Sequence, residues 1–146
     1  MARAVARFPH SRRSSTVSIF PGVGKESKRG SCNMKARHYS EVRSIEIEME
    51  GAEGVSKRVL AGPEEDVPNF VMRLFELAPG GRTPNHTHDW EHEVFVVEGQ
   101  GHAESAEGDR PLGPGSAVYV APGERHGFVN TGDSPMRFIC VVPRMD

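Results

Sequence analysis

The chain reads as an all-β domain, a sandwich or a closed barrel, on three observations. Short runs of β-branched and aromatic residues recur every eight to twelve positions, turn residues separate them, and no stretch after Met34 keeps a helical period. The 16 glycines and 11 prolines among 146 residues supply the turns. This length suits one domain with a real core.

The first strand expected is SIEIEME (Ser44 to Glu50), where apolar and acidic residues alternate with the period of a half-buried strand. FVMRLFEL (Phe70 to Leu77) follows and is closed by APGG. EVFVVEG (Glu93 to Gly99), GHAESA (Gly101 to Ala106), GSAVYV (Gly115 to Val120), HGFVN (His126 to Asn130) and MRFICVV (Met136 to Val142) complete the set. No internal repeat is visible.

Residues 1–33 have a different texture. They hold seven of the 18 Lys and Arg and one of the 20 acids, which leaves 11 basic against 19 acidic side chains in residues 34–146. A segment so polar cannot bury enough surface to offset chain entropy, so a disordered basic extension is expected, ahead of a single domain over 34–146. Three explanations stand for it: a start assigned too early, with Met34 the true first residue; a disordered tail; or an organellar transit peptide. Its GVGK lacks the first glycine of a phosphate loop, because Ile19 stands there, and Glu26 follows the lysine.

The acidic body argues against duplex nucleic-acid binding, which needs a basic face. No apolar run approaches the roughly 20 residues that span a bilayer, so a soluble protein without a membrane partner is expected. Only two cysteines, Cys32 and Cys140, are present, too few for a disulfide framework, and a reducing, cytoplasmic setting follows.

Chemistry concentrates in PNHTHDWEHEVFVVEGQG (Pro84 to Gly101). His86 and His88 are two apart and project to one side if extended; His92 opens the next strand, and His126 follows a Pro-Gly turn at the start of another. Imidazoles converging from two strands suit Mn, Fe, Co, Ni, Cu or Zn. His88 to His92 also matches the H-x-x-E-H pattern of inverted zinc proteases, but that chemistry needs a helix and this segment runs into β-formers.

These residues resemble the cupin superfamily. Its first motif is met by Gly80, His86, His88, Glu93 and Gly99, the last glycine one residue early; its second by Gly115, Pro122, Gly123, His126 and Asn130, with Ala121 in place of a proline. The stretches NFVMRLFELAPGG, HTHDWEHEVFV, HGFVN and FICVVPR are most similar to compact single-domain bacterial cupins with a four-histidine manganese site. The resemblance runs from near Met34 almost to the end. It implies a small antiparallel jelly-roll β-barrel holding one divalent transition metal per chain, manganese first among the candidates.

Neighbours on a strand face opposite ways, so His92 and Glu93 should not both be ligands. The resemblance favours His86, His88, His92 and His126, with Glu93 the alternative. Four neutral imidazoles would favour the lower oxidation state of the ion.

Alternation sorts the lining. Phe128 should share the inward face of His126; Phe138, Cys140 and Val142 share one face of the last strand; Arg73, Phe75 and Leu77 oppose Met72, Leu74 and Glu76. The resemblance places Arg73, Phe75, Phe128, Phe138, Cys140 and Val142 around the metal as a substrate pocket. The implied function is a mononuclear metalloenzyme, dioxygenase-like or Lewis-acid in its chemistry, acting on a small hydrophobic organic substrate. The alternative is a non-catalytic small-molecule or metal-binding module. Cupins of this size pair as homodimers, and SIEIEME is the strand expected to cover a neighbouring edge.

Overall fold

The computed structural model describes residues 34–145. The basic extension, its Cys32 and the expectation of disorder there lie outside the described residues. Nine strands form one curled antiparallel sheet, and no α-helix occurs among the described residues. Among the described residues, no helix is long and apolar enough to cross a membrane.

The strands are β1 (Ile45–Glu46), β2 (Glu53–Ala61), β3 (Phe70–Arg82), β4 (His92–Glu98), β5 (Gly101–Ser105), β6 (Arg110–Leu112), β7 (Ala117–Val120), β8 (His126–Asn130) and β9 (Met136–Pro143). They run in the order β6-β5-β8-β3-β9-β4-β7, with β2 also on β3 and β1 on β2. The curl comes from β3. Its first half pairs with β9 from Phe70 to Leu77, whereas Arg82 at its far end pairs with Val129 of β8. One long strand thus serves two parts of the sheet.

Five of the seven expected strands appear nearly as read, β8 over the same five residues, while the strand expected to close at APGG runs on through it to Arg82. The seventh, SIEIEME, is a strand only at Ile45–Glu46, which pair with Lys57 and Ser56 of the same chain; Ile47 adds one bond to the Val55 carbonyl. Ile45 and Met49 stay exposed, so the half-buried face read from its alternation is only partly realised.

Two strands were not expected. β6 carries Pro111, which cannot donate to a ladder and is tolerated because this strand lies at the end of the sheet. β2, EGVSKRVLA, has Lys57 where the alternation asks for an apolar residue. Lys57 lies directly opposite Phe75, and both side chains line the cavity described below.

The core follows the alternation on β9, where Met136, Phe138, Cys140 and Val142 are buried and Arg137, Ile139 and Val141 are partly exposed. Phe138 stacks on Phe75 at 5.2 Å between ring centroids and meets Phe128 at 4.9 Å. Gly99, which closes β4 one residue earlier than the general cupin spacing, has φ of +84°; a β-carbon there would sit 2.5 Å from the Met136 Cα. Only glycine fits.

Asn130, 1% exposed, pins the loop after β8 to β3. Its Nδ2 lies 2.9 Å from the Leu77 carbonyl, 3.1 Å from that of Ala78 and 2.8 Å from that of Ser134, while its Oδ1 accepts from the Gly132 N–H at 2.9 Å. Asn130→Ala leaves these backbone groups unpaired in a dry site. We expect a loss of about 2–4 kcal/mol in urea unfolding with the m-value unchanged; a loss below about 0.5 kcal/mol would contradict this role.

Candidate metal centre and cavity

The histidines are brought together by backbone zippering between the segment before β4 and the start of β8. Thr83 N–H donates to the Phe128 carbonyl, and Phe128 N–H donates to Thr83 Oγ1, both at 2.9 Å. Three residues on, His86 and His126 exchange both backbone bonds at 3.0 Å. Gly123 N–H then donates to the His88 carbonyl at 2.7 Å, which ties the Ala121–Glu124 turn to the same segment. The turn forms with alanine in the proline position, closed by Glu124 N–H on the Ala121 carbonyl at 3.1 Å.

As a result, the nearest ring nitrogens of His86, His88 and His126 all lie within 4.8 Å of one another. Three imidazoles so close could hold a metal ion. His92 enters from β4 beside them, 8% exposed, with Nε2 at 2.5 Å from His88 Nε2 and its ring centroid 4.8 Å from that of His126. Its Nδ1 faces the other way, 2.9 Å from Cys140 Sγ and 3.4 Å from Arg73 Nη2. Glu93, the alternative ligand, is exposed and sits opposite Tyr119 and Val141, on the other side of the strand.

His126 offers the clearest test of fit. Its Nδ1–H donates to the Glu124 carbonyl at 2.9 Å, which assigns the proton to that nitrogen and leaves Nε2 as a lone pair. Nε2 is buried and has no hydrogen-bond partner. A buried acceptor left bare is costly unless a ligand or ion meets it. A backbone carbonyl holding the far nitrogen is also the arrangement found behind metal-bound histidines. The residues therefore fit a divalent ion.

Electrostatics point the same way. Burial holds His92 down to a pKa of about 3, helped by the positive charge of Arg73. Burial also lowers His86 and His88, with further lowering from His126. Neutral imidazole is the form that ligates. The Cys140 thiol is pushed up by burial, against the pull of Arg73, and so is kept protonated rather than activated.

Beside the histidines lies a cavity of about 170 Å³. Arg73, Phe75, Phe128, Phe138 and Cys140, named above as pocket residues, line it. Val142 does not: it is packed in the core on the same face of β9, beyond the cavity. Lys57, Thr83 and Trp90 line it without having been anticipated, as do Ile47 and Met49 from the segment around β1. The Trp90 ring lies parallel to that of His88 at 4.0 Å. For Lys57 the signal was present in the sequence, as a charged residue between Val55 and Val59 on one strand face.

A curled antiparallel sheet that gathers imidazoles beside an apolar cavity defines a barrel with its site in the lumen. The Cupin domain family matches residues 73–142, and the chain belongs to the cupin superfamily, with a jelly-roll barrel. An L-ectoine synthase of Bordetella petrii is 33% identical over 110 residues, 74% of this chain and 80% of that protein. A 1-methylthio-D-xylulose 5-phosphate methylsulfurylase of Rhodospirillum rubrum is 30% identical over 71 residues, and the match spans only 46% of its length. Among solved structures, the polyketide cyclase RemF of Streptomyces resistomycificus superposes with a TM-score of 0.73 at 34% identity, covering 77% of this chain and 81% of that one.

Proposed function

We propose that this cupin is a mononuclear metalloenzyme in which His86, His88, His92 and His126 hold one divalent transition metal, manganese foremost, with iron, nickel, copper, cobalt and zinc as alternatives. The observation that carries the reading is the His126 ring, tautomer set by the Glu124 carbonyl and Nε2 bare among three other imidazoles. Among the names of similar proteins, a synthase, a methylsulfurylase and a cyclase support an enzyme, while an oxalate-binding protein keeps a binding module as the second reading.

An ion bound there would supply Lewis acidity, or dioxygen activation if redox-active, beside the cavity. The chain's own residues do the rest. Phe75, Phe128 and Phe138 exclude water and receive the apolar part of a small organic substrate. Cys140 Sγ, which accepts from Arg73 Nη2, would also accept from His92 Nδ1–H and hold that ring in place.

The test is turnover. The full-length chain, made without a His tag and loaded with manganese, is incubated with candidate alkenes or phenols while oxygen uptake and substrate loss are followed. Turnover is the expected result. Saturable binding with neither oxygen uptake nor substrate loss would favour a binding module.

A further inference from the structure

The cavity contains two cations that the proposed metal site does not need. Lys57 on β2 and Arg73 on β3 both line it. Lys57 sits opposite Phe75, and Arg73 sits opposite Val59, two residues further along β2, so the ammonium and the guanidinium reach one wall from adjacent strands. Burial lowers the Lys57 pKa, and the positive charge of Arg73 lowers it further, so the two groups feel each other.

Neither charge meets an acid of the described residues. No carboxylate lines the cavity among the described residues. Elsewhere among the described residues, ion pairs join Arg37 to Glu65, His102 to Asp109, Arg110 to Glu107, and Arg137 to Glu76 and Glu98, leaving Lys57 and Arg73 out. Arg73 spends Nη2 on Cys140 Sγ at 3.0 Å and lays its guanidinium carbon 5.1 Å from the centre of the Phe75 ring, but its Nε–H is buried without a partner. A guanidinium with an unfilled buried donor, beside a second cation, is an expensive arrangement unless an anion completes it.

We infer that the substrate is an organic carboxylate, with its anionic end held by Lys57 and Arg73 and its apolar body against Phe75, Phe128 and Phe138. This narrows the hydrophobic substrate proposed above to an amphipathic one. It rests on that reading for the reacting centre, and on Lys57 and Arg73 alone for the capture of charge. A space of about 170 Å³ is close to the roughly 150 Å³ in which an apolar cavity accepts benzene, so the enclosed body is about one six-membered ring.

The experiment measures binding of benzoate and of benzyl alcohol, its neutral counterpart, to the full-length chain by titration calorimetry at pH 7.5. Each is titrated into chelator-treated protein and into manganese-loaded protein. Benzoate is expected to bind the metal-free protein about tenfold or more tighter than benzyl alcohol, with Lys57→Met and Arg73→Met each removing most of that margin. Lys57→Arg, which keeps the charge, should retain it; circular dichroism checks that the variants are folded. Equal affinity for the two probes overturns the inference without recourse to any variant. So does a preference for benzoate seen only with manganese present, because the ion and not the two side chains would then select the charge. A chain that takes up no metal yet prefers benzoate overturns the metal reading and leaves this inference standing.

Discussion

His92→Ala is expected to strip the protein of most of its bound metal, and Glu93→Ala is expected to leave metal content near that of the wild type. The two residues are adjacent on β4, so the alternation of the strand sends only one of them to the imidazole cluster. His92 goes inward, against His88 and Cys140; Glu93 goes outward, opposite Tyr119 and Val141. Loss of a group merely hydrogen-bonded to a metal ligand commonly weakens affinity by about 10–100-fold, so loss of a ligand should cost at least that much. The measurement is metal per chain by mass spectrometry after manganese loading and dialysis, with a thermal melt to show that each variant is folded. The reverse pattern, metal kept by His92→Ala and lost by Glu93→Ala, would replace the four-histidine site by one of three histidines and a carboxylate.

What the sequence made legible was whatever local chemistry determines. β8 was read to the residue because a Pro-Gly turn opens it and Asn130, with its side-chain bonds to β3, closes it. β9 was read because its inward face is uninterrupted from Met136 to Val142. β2 was lost because its inward face carries Lys57, a residue whose strand position is set by pairing with β3 and not by its own preference. The same residue was therefore missing from the expected pocket, and with it the anionic substrate proposed above. Local rules break where function places an ill-suited residue, and on the reading proposed above Lys57 is such a place. Val142 failed in the opposite sense, since alternation gives a side chain's face but not its depth along the barrel.

Acid is expected to destabilise the metal-free protein between about pH 6.5 and pH 3, with His92 the largest single contributor among the clustered histidines. In the fold its pKa is about 3; in the unfolded chain it returns to the ordinary 6.5. Between those values the unfolded state takes up a proton that the folded state refuses. Stability therefore falls as pH is lowered through this window and is independent of this group above it. His86 and His88, also lowered, add in the same direction. The groups facing His92 that oppose its protonation are Arg73 from β3 and the other three histidines, and no acid of the described residues shares the cavity to relieve it. Carboxylates elsewhere titrate in the lower half of this window, so the informative quantity is a difference. Melting temperatures are compared for the chelator-treated wild type and His92→Leu from pH 7.5 to pH 4, and the variant should show the shallower decline. Parallel curves would mean that the His92 ring is protonated in the fold as readily as in water, and that it does not stand as a neutral ligand at the centre of the cluster.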